Sequence, residues 1–106
     1  MAFLSPAELS RKEPMTGFVG LFATGATMTS VTWTIESKAR LPEHAHPHEQ
    51  VSHVLEGEFE MTIDGQTQQL GPGMIAFVPP NATHSGRAIT DCRIIDVFHP
   101  IRDDYR

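Results

Sequence analysis

The chain has 106 residues, enough for one small domain, and its formal net charge of −5 lacks the basic excess that nucleic-acid-binding proteins carry. A single cysteine excludes an internal disulfide, and no apolar run is long enough for a signal peptide or a membrane span. We therefore expect a cytoplasmic protein that binds neither nucleic acid nor membrane and, because so small a core is thin, a homodimer.

The first 15 residues predict an N-terminal arm with a short helix. Ser5 and Glu8 have the spacing of a capping box, and Pro6 stands at the first helical position. From residue 16 to residue 106 the composition is that of one β domain. Its first two segments, GFVGLFATG and TMTSVTWTIES, are bounded by glycines and rich in aromatic and β-branched residues, which favours strands.

The rest of the chain continues this pattern. In the second segment, the odd-numbered residues from 29 to 35 share one strand face. QVSHVLEGEFEMTIDGQTQQL predicts two or three more strands, with a hairpin turn at Asp64-Gly65. Another turn is predicted at 71–73, MIAFVP is predicted to be a buried strand, and CRIIDVF is predicted to be the last strand. Short strands with turns about every ten residues predict an all-β sandwich or barrel.

Three histidines have the spacing of a metal site. Residues two apart in a strand point to the same side, so His44 and His46 converge, and His84 follows a second proline turn. Because imidazole suits first-row transition metals, we expect one divalent ion per chain, either zinc, nickel, manganese or iron. His48, in the turn beside the pair, is expected to face solvent or to support a ligand from behind. His53 is out of phase with the site and is expected to face away, in packing or at a dimer interface.

At these residues the chain resembles the cupins. The first cupin motif is Gly, five residues, His-x-His, three or four residues, Glu, six residues and Gly. Here His44-x-His46, three residues, Gln50, six residues and Gly57 match it, with Gln in place of Glu and without the leading glycine. The resemblance implies that Gln50 is the fourth metal ligand.

The second cupin motif lies further along the chain. It is Gly, five residues, Pro-x-Gly, two residues, His, three residues and Asn. Gly73, Pro79, Asn81 and His84 match its spacing, with Asn81 in place of the second glycine and Ala88 in place of the final Asn. Asn tolerates the left-handed backbone that glycine would supply there. The resemblance implies a single-domain cupin, a jelly-roll β-barrel.

A narrower resemblance is to the small cupins of pectin and alginate catabolism, which linearise 4,5-unsaturated monouronates to the open-chain keto acid. It is carried by PEHAHPHEQVSHVLEGEFEMTIDG, GPGMIAFVPPNATH and DVFHPIRDDYR. It implies a small anionic sugar as substrate, Gln50 at the fourth ligand position, and roles for Asp96, Phe98 and Arg102. Two alternatives stay open: a metal-dependent dioxygenase acting on a small diketone-like substrate, and a non-catalytic sugar-binding cupin.

The neutral charge of Gln50 has a chemical rationale. A carboxylate ligand would neutralise one unit of a divalent ion's charge, whereas three imidazoles and an amide leave the site near +2. Such a site attracts an anionic substrate and remains a strong Lewis acid.

Asp96 is the most informative polar residue of the last strand, where it shares a face with Ile94 and Phe98. A carboxylate in an apolar cavity is costly unless it serves a purpose, so we expect Asp96 to carry protons. The alternative is a strand-end aspartate bonded to a backbone N–H. Phe98 is expected either to shape the substrate cavity or to be plain core. Arg102 is expected to clamp a carboxylate or to be a solvated C-terminal charge.

Overall fold

The computed structural model describes residues 2–106, which form ten β-strands and two short 3-10 turns. The turns are Pro6–Glu8 and Asp103–Tyr105. The strands are β1 Ser10–Met15, β2 Phe18–Thr24, β3 Thr29–Ile35, β4 Arg40–His44, β5 Glu49–Glu56, β6 Phe59–Ile63, β7 Gln66–Leu70, β8 Ile75–Val78, β9 His84–Ala88 and β10 Cys92–His99.

Two antiparallel sheets form a jelly roll, the all-β architecture that the sequence predicts. One sheet has six strands in the order β1-β2-β3-β10-β5-β8, and the other has four in the order β4-β9-β6-β7. Aromatic side chains from both sheets meet in the core. The Phe18 ring on β2 packs edge to face against the Phe59 ring on β6, with centroids 6.4 Å apart. Burial of such rings stabilises the contact between the sheets.

Strand alternation decides which side chains reach the interior. In β3, the odd-numbered residues from 29 to 35 are buried and the residues between them are not, so the face predicted from the sequence is the core face. In β5, the same alternation buries Gln50, Ser52 and Val54. Two of these three are polar, and a polar inner face marks the place where a site forms within the sandwich.

Tight turns with left-handed backbone connect the strands. Asp64 and Gly65 have φ values of 47° and 81°, which fits a two-residue hairpin between β6 and β7 and confirms the predicted turn. Gly73, in the turn before β8, has a φ of 87°. Asn81 has a φ of 67°, so it takes the left-handed conformation expected where the cupin motif has glycine.

The MIAFVP segment is not the buried strand that the sequence predicts. Its strand β8 lies at the edge of the six-stranded sheet and pairs with β5. Val78 is buried, but Ile75 and Phe77 are 51% and 66% exposed. The prediction of burial from the apolar run was wrong, because no part of residues 2–106 covers the outer face of this edge strand.

The N-terminal segment begins with a single turn and continues as a strand. Pro6–Glu8 forms one 3-10 turn, and the Ser5 hydroxyl donates to the Glu8 carboxylate at 3.0 Å rather than capping the backbone. Strand β1 then pairs with β2, so the sheet begins inside the segment 1–15 that the sequence assigns to an arm. Nowhere in residues 2–106 is a helix long and apolar enough to cross a membrane.

Candidate metal centre and its cavity

The candidate ligands come from both sheets. His44 ends β4 and His84 begins β9; the two residues are paired in register, with ring centroids 4.1 Å apart. His46 lies in the loop after β4, and its ring centroid is 4.8 Å from that of His84. Strand alternation predicts that His44 and His46 converge. They do converge, but His46 lies in a loop, because Pro47 lacks the backbone N–H needed to continue the strand pairing. Gln50 reaches the same place from β5 of the other sheet.

A backbone hydrogen bond joins the two loops that carry the histidines. The Asn81 N–H donates to the carbonyl of His46 at 2.8 Å. Asn81 can present its N–H in this direction because its backbone is left-handed, with a φ of 67°. The second motif thereby holds the loop of the first motif in place.

Each candidate histidine has its Nδ1 atom against a backbone carbonyl. His44 Nδ1 lies 2.9 Å from the carbonyl of Pro42, His46 Nδ1 lies 3.1 Å from that of His48, and His84 Nδ1 lies 2.9 Å from that of Ala82. A carbonyl can only accept, so each Nδ1 is placed to donate, which favours the tautomer with the proton on Nδ1. The Nε2 atom of each neutral ring is then an acceptor with a free lone pair. Histidines that bind metals are commonly held by such carbonyls.

The Nε2 lone pairs converge without a proton donor. The buried His84 Nε2 has no hydrogen-bond partner among residues 2–106. The His46 Nε2 lies 3.1 Å from the Gln50 amide oxygen, which is also an acceptor. Ligand atoms of His44, His46 and His84 all lie within 4.8 Å of one another. Because buried acceptors without partners are costly, and a cation would satisfy all of them, these residues fit a metal ion.

Burial keeps two of these imidazoles neutral. His46 and His84 are 8% and 1% exposed. Burial, with a smaller contribution from the positive charge of Arg102, lowers the pKa of His46 from 6.5 to about 4. Burial likewise lowers the pKa of His84. Protons therefore compete weakly with a metal at these two rings near neutral pH.

A directed chain of hydrogen bonds runs behind the ligands. The Gln50 Nε2–H donates to the Ser52 hydroxyl at 3.0 Å, and the Ser52 hydroxyl donates to Asp96 Oδ1 at 2.5 Å. The Trp33 indole N–H donates to Asp96 Oδ2 at 2.9 Å. Burial raises the pKa of Asp96 from 3.8 to about 6, although the hydrogen bonds from Ser52 and Trp33 oppose this change.

Three of the candidate ligands, His44, Gln50 and His84, line one open-mouthed cavity together with Asp96. Asp96 is on its wall with Ile94 and Phe98, so the strand face predicted from the sequence is the cavity face. The partners of Asp96 are side chains, which distinguishes it from the alternative of a strand-end aspartate bonded to a backbone N–H.

Arg102 also lines the cavity and is 7% exposed, so it is not a solvated C-terminal charge. Its guanidinium lies over the rings of Phe98 and Tyr105, at 4.8 and 4.1 Å from their centroids. Its Nε–H and one Nη2–H donate to the two carboxylate oxygens of Asp104, at 3.0 and 2.6 Å. These bonds lower the pKa of Asp104. Three of the five guanidinium N–H groups are not used by Asp104.

The other histidines lie outside the ligand set. His48 supports the site from behind, because its carbonyl accepts from His46, and its own ring Nε2 lies 3.0 Å from the carbonyl of Ile101. His53 faces away from the site, as the sequence predicts, because it alternates with the buried Gln50 and Ser52 on β5.

Ser52, Trp33 and Tyr105 were not predicted as site residues. A signal existed for Ser52, which has the same strand parity as Gln50 and is therefore on the site face. Its contact with Asp96 depends on the pairing of β5 with β10, in which Ser52 is directly opposite Asp96. Sequence periodicity gives faces but not the register between strands distant in the chain.

Two solved structures have the same fold over nearly the whole chain. An RmlC-like cupin from Shewanella frigidimarina NCIMB 400 has a TM-score of 0.93 at 30% identity, covering 100% of this chain and 96% of that chain. KdgF from Halomonas sp. has a TM-score of 0.89 at 27% identity, covering 98% of this chain and 97% of that one.

A curated protein and a family model also match. Quercetin 2,3-dioxygenase of Bacillus subtilis (strain 168) is 43% identical over 49 residues, which are 45% of this chain and only 14% of the dioxygenase. The model of the cupin domain family matches residues 31–98, which include all four candidate ligands and Asp96. With a match over more than half of its length, and with the jelly roll just described, the chain belongs to the cupin family.

Proposed function

We propose that the protein opens the ring of 4,5-unsaturated monouronates from pectin or alginate breakdown, giving the open-chain keto-deoxyuronate. The observation that carries this proposal is the Asp96 carboxylate on the wall of the cavity that also contains His44, Gln50 and Arg102. One cavity thus combines a proton carrier, a candidate cation site and a cationic anchor. This set suits an anionic substrate whose conversion needs only the movement of protons.

The reaction itself is an isomerisation. The substrate is a cyclic hemiacetal whose ring oxygen is also an enol ether oxygen. Removal of the C1 hydroxyl proton lets the bond between C1 and the ring oxygen break, which leaves an aldehyde at C1 and an enolate at C5. A proton added at C4 then gives the ketone. One proton leaves the C1 oxygen and one arrives at C4, so atoms and charge balance without a co-reactant.

Asp96 is the residue that would carry this proton. The Ser52 hydroxyl and the Trp33 indole each donate to one of its oxygens, which fixes the plane of the carboxylate. Each oxygen retains a lone pair that can accept the proton of the C1 hydroxyl. A general acid–base group positioned in this way typically contributes about 10²–10⁴ in rate.

The remaining cavity residues would bind and orient the sugar. Arg102 offers N–H groups to the substrate carboxylate, and the Phe98 ring beneath its guanidinium holds that group in plane. Phe98 also packs edge to face against His46, with centroids 5.7 Å apart, and so forms a firm wall beside the ligands. A divalent ion bound by the three histidines and Gln50 would supply Lewis-acid stabilisation of the negative charge that develops on substrate oxygens.

The comparisons support a cupin over nearly the whole chain. KdgF from Halomonas sp. is 27% identical to the chain over 98% of its length. The uronate substrate class comes from the resemblance of the sequence to the small cupins of pectin and alginate catabolism. The second candidate function is a metal-dependent dioxygenase, which the 43% identity with quercetin 2,3-dioxygenase favours. That match covers 14% of the dioxygenase, so it supports a short shared segment more than a shared reaction.

An isotope experiment distinguishes the two functions. Purified protein loaded with each of zinc, nickel, manganese and iron is incubated with unsaturated galacturonate in D₂O. Ring opening predicts loss of the enol-ether absorbance faster than in buffer alone, and one deuterium at C4 in a single stereochemical position by NMR. Deuterium in both positions at the rate of the buffer control would contradict the proposal. Oxygen consumption with a small diketone or flavonol would favour the dioxygenase.

We also propose that the protein works as a homodimer, formed through the outer face of the six-stranded sheet. Strand pairing places Val97, Val51 and Phe77 side by side in one row. The neighbouring row contains Ile95 and Ile75. Ile75 and Phe77 are 51% and 66% exposed.

A second copy of the chain fits this face because of its lack of charge. Across β2, β3, β10, β5 and β8, the two rows contain no Lys, Arg, Asp or Glu. Two copies can therefore meet about a two-fold axis without like-charge repulsion, and exposed apolar patches of this kind mark interaction sites. Light scattering should give twice the chain mass for the wild type and one chain mass for Phe77→Lys. Thr67→Lys, on the exposed strand of the other sheet, is the control and should remain dimeric.

A further inference from the structure

Ser52 lies where it can control the orientation of the Gln50 side chain. It is fully buried at 0% exposure, and Gln50 is 3% exposed. Its hydroxyl hydrogen points to Asp96 Oδ1, so the lone pairs on its oxygen are left to accept the Gln50 Nε2–H at 3.0 Å. With the amide nitrogen bound in this way, the amide oxygen is directed at His46, 3.1 Å from its Nε2 atom.

The orientation of the amide is not determined by its shape. The oxygen and nitrogen ends of a glutamine amide are nearly equal in size, so either end fits the same space. When no cation is bound, the opposite orientation is favoured locally, because an N–H donor would then face the free lone pair of His46. That orientation presents amide hydrogens to an incoming cation and repels it. A carboxylate at the same position would need no such control, since both of its ends are oxygen.

We propose that Ser52 is a positioning residue that keeps the Gln50 amide oxygen directed at the metal centre. Asp96 fixes the Ser52 hydrogen, Ser52 thereby becomes an acceptor, and the acceptor fixes the amide. The inference rests on the proposed metal centre, and it explains how this chain can use a neutral amide where an acid would orient itself. Loss of a partner behind a metal ligand typically weakens metal affinity about 10–100-fold.

The test is a double-mutant cycle on metal affinity, measured by competition with a chromophoric chelator using Zn²⁺, Ni²⁺ and Mn²⁺. The variants are Ser52→Ala, Gln50→Glu and the combination of the two. Ser52→Ala should weaken binding about tenfold or more in the Gln50 background and less than about twofold in the Gln50→Glu background. The matched control is Thr29→Val, which removes another fully buried hydroxyl. This hydroxyl accepts a hydrogen bond from the backbone N–H of Arg102. It should leave metal affinity within about twofold.

The outcomes of this cycle separate failure of the inference about Ser52 from failure of the proposed metal centre. An equal loss of affinity in both backgrounds would show that Ser52 supports the fold generally, and an unchanged affinity of Ser52→Ala would show that the amide needs no positioning; either overturns the inference alone. A wild type that binds none of the ions would instead overturn the proposed metal centre. If the alanine variant does not fold, Ser52→Gly in both backgrounds provides the same comparison.

Discussion

Replacement of Asp96 by Asn tests whether this carboxylate is maintained for function at a cost in stability. Burial raises the pKa of Asp96 from 3.8 to about 6. The folded chain therefore holds this proton more tightly than the unfolded chain between these two values, and the free energy of unfolding falls as the pH rises through that window. Asn does not titrate, so the variant escapes this loss.

The size of the effect follows from the two pKa values. With 3.8 for the unfolded chain and about 6 for the folded chain, ionisation of Asp96 lowers stability by about 1.4 kcal/mol more at pH 8 than at pH 5. The stability of Asp96→Asn relative to wild type should increase by this amount between the two pH values. Groups present in both proteins cancel in the difference, and so does the constant change in hydrogen bonding to Trp33 and Ser52.

The assay is urea unfolding of the metal-free wild type and Asp96→Asn at pH 5 and pH 8, at one protein concentration. Ring opening is measured in parallel at equal metal loading, where a loss of about 10²–10⁴ in kcat is expected. The same stability difference at both pH values would refute the reasoning about burial. If Asp96→Asn keeps its activity within about threefold of wild type, the activation free energy has changed by less than about 0.7 kcal/mol. Asp96 would then not be the proton carrier.

Three further changes test other parts of the site. Gln50→Glu should keep or tighten metal binding yet slow ring opening, because the added charge weakens the Lewis acid and repels the substrate; unchanged kcat and KM would show that the neutral ligand is incidental. Arg102→Lys should raise KM about tenfold, about 1.4 kcal/mol, with a smaller change in kcat, since an ammonium cannot form a bidentate pair; an unchanged KM would exclude Arg102 as the anchor. Dialysis against a chelator should abolish ring opening, and the return of one ion should restore it; full activity without metal would exclude the proposed role of the ion.

Much of the site could be predicted from spacing and strand parity. The spacing of His44, His46 and His84 predicts that these rings converge, and their ligand atoms do lie within 4.8 Å of one another. Gln50 was implied by the cupin resemblance, and its amide oxygen lies 3.1 Å from His46 Nε2. Parity within the last strand places Asp96 on the cavity face with Phe98, since side chains alternate along any strand. Both arguments use information that is local in the sequence.

The errors concern information that is not local. The apolar segment of β8 was predicted to be buried, but its place at the sheet edge leaves Phe77 66% exposed, and sheet order cannot be read from one strand. Ser52 and Trp33 acquire their roles only when β5 and β3 pair with β10 on either side. The loop that holds His46 is fixed by a hydrogen bond from Asn81, 35 positions along the chain.

The central claim is that His46 and its neighbours bind one metal ion, and metal content measures this most directly. The metal content of wild type, His46→Ala and His53→Ala is measured by elemental analysis after purification without chelating steps and identical reconstitution. His53 is the control because it lies on the face of β5 that points away from the site. We expect about one divalent ion per chain in the wild type and in His53→Ala, and a small fraction of that in His46→Ala. Equal metal content in all three proteins would contradict the account.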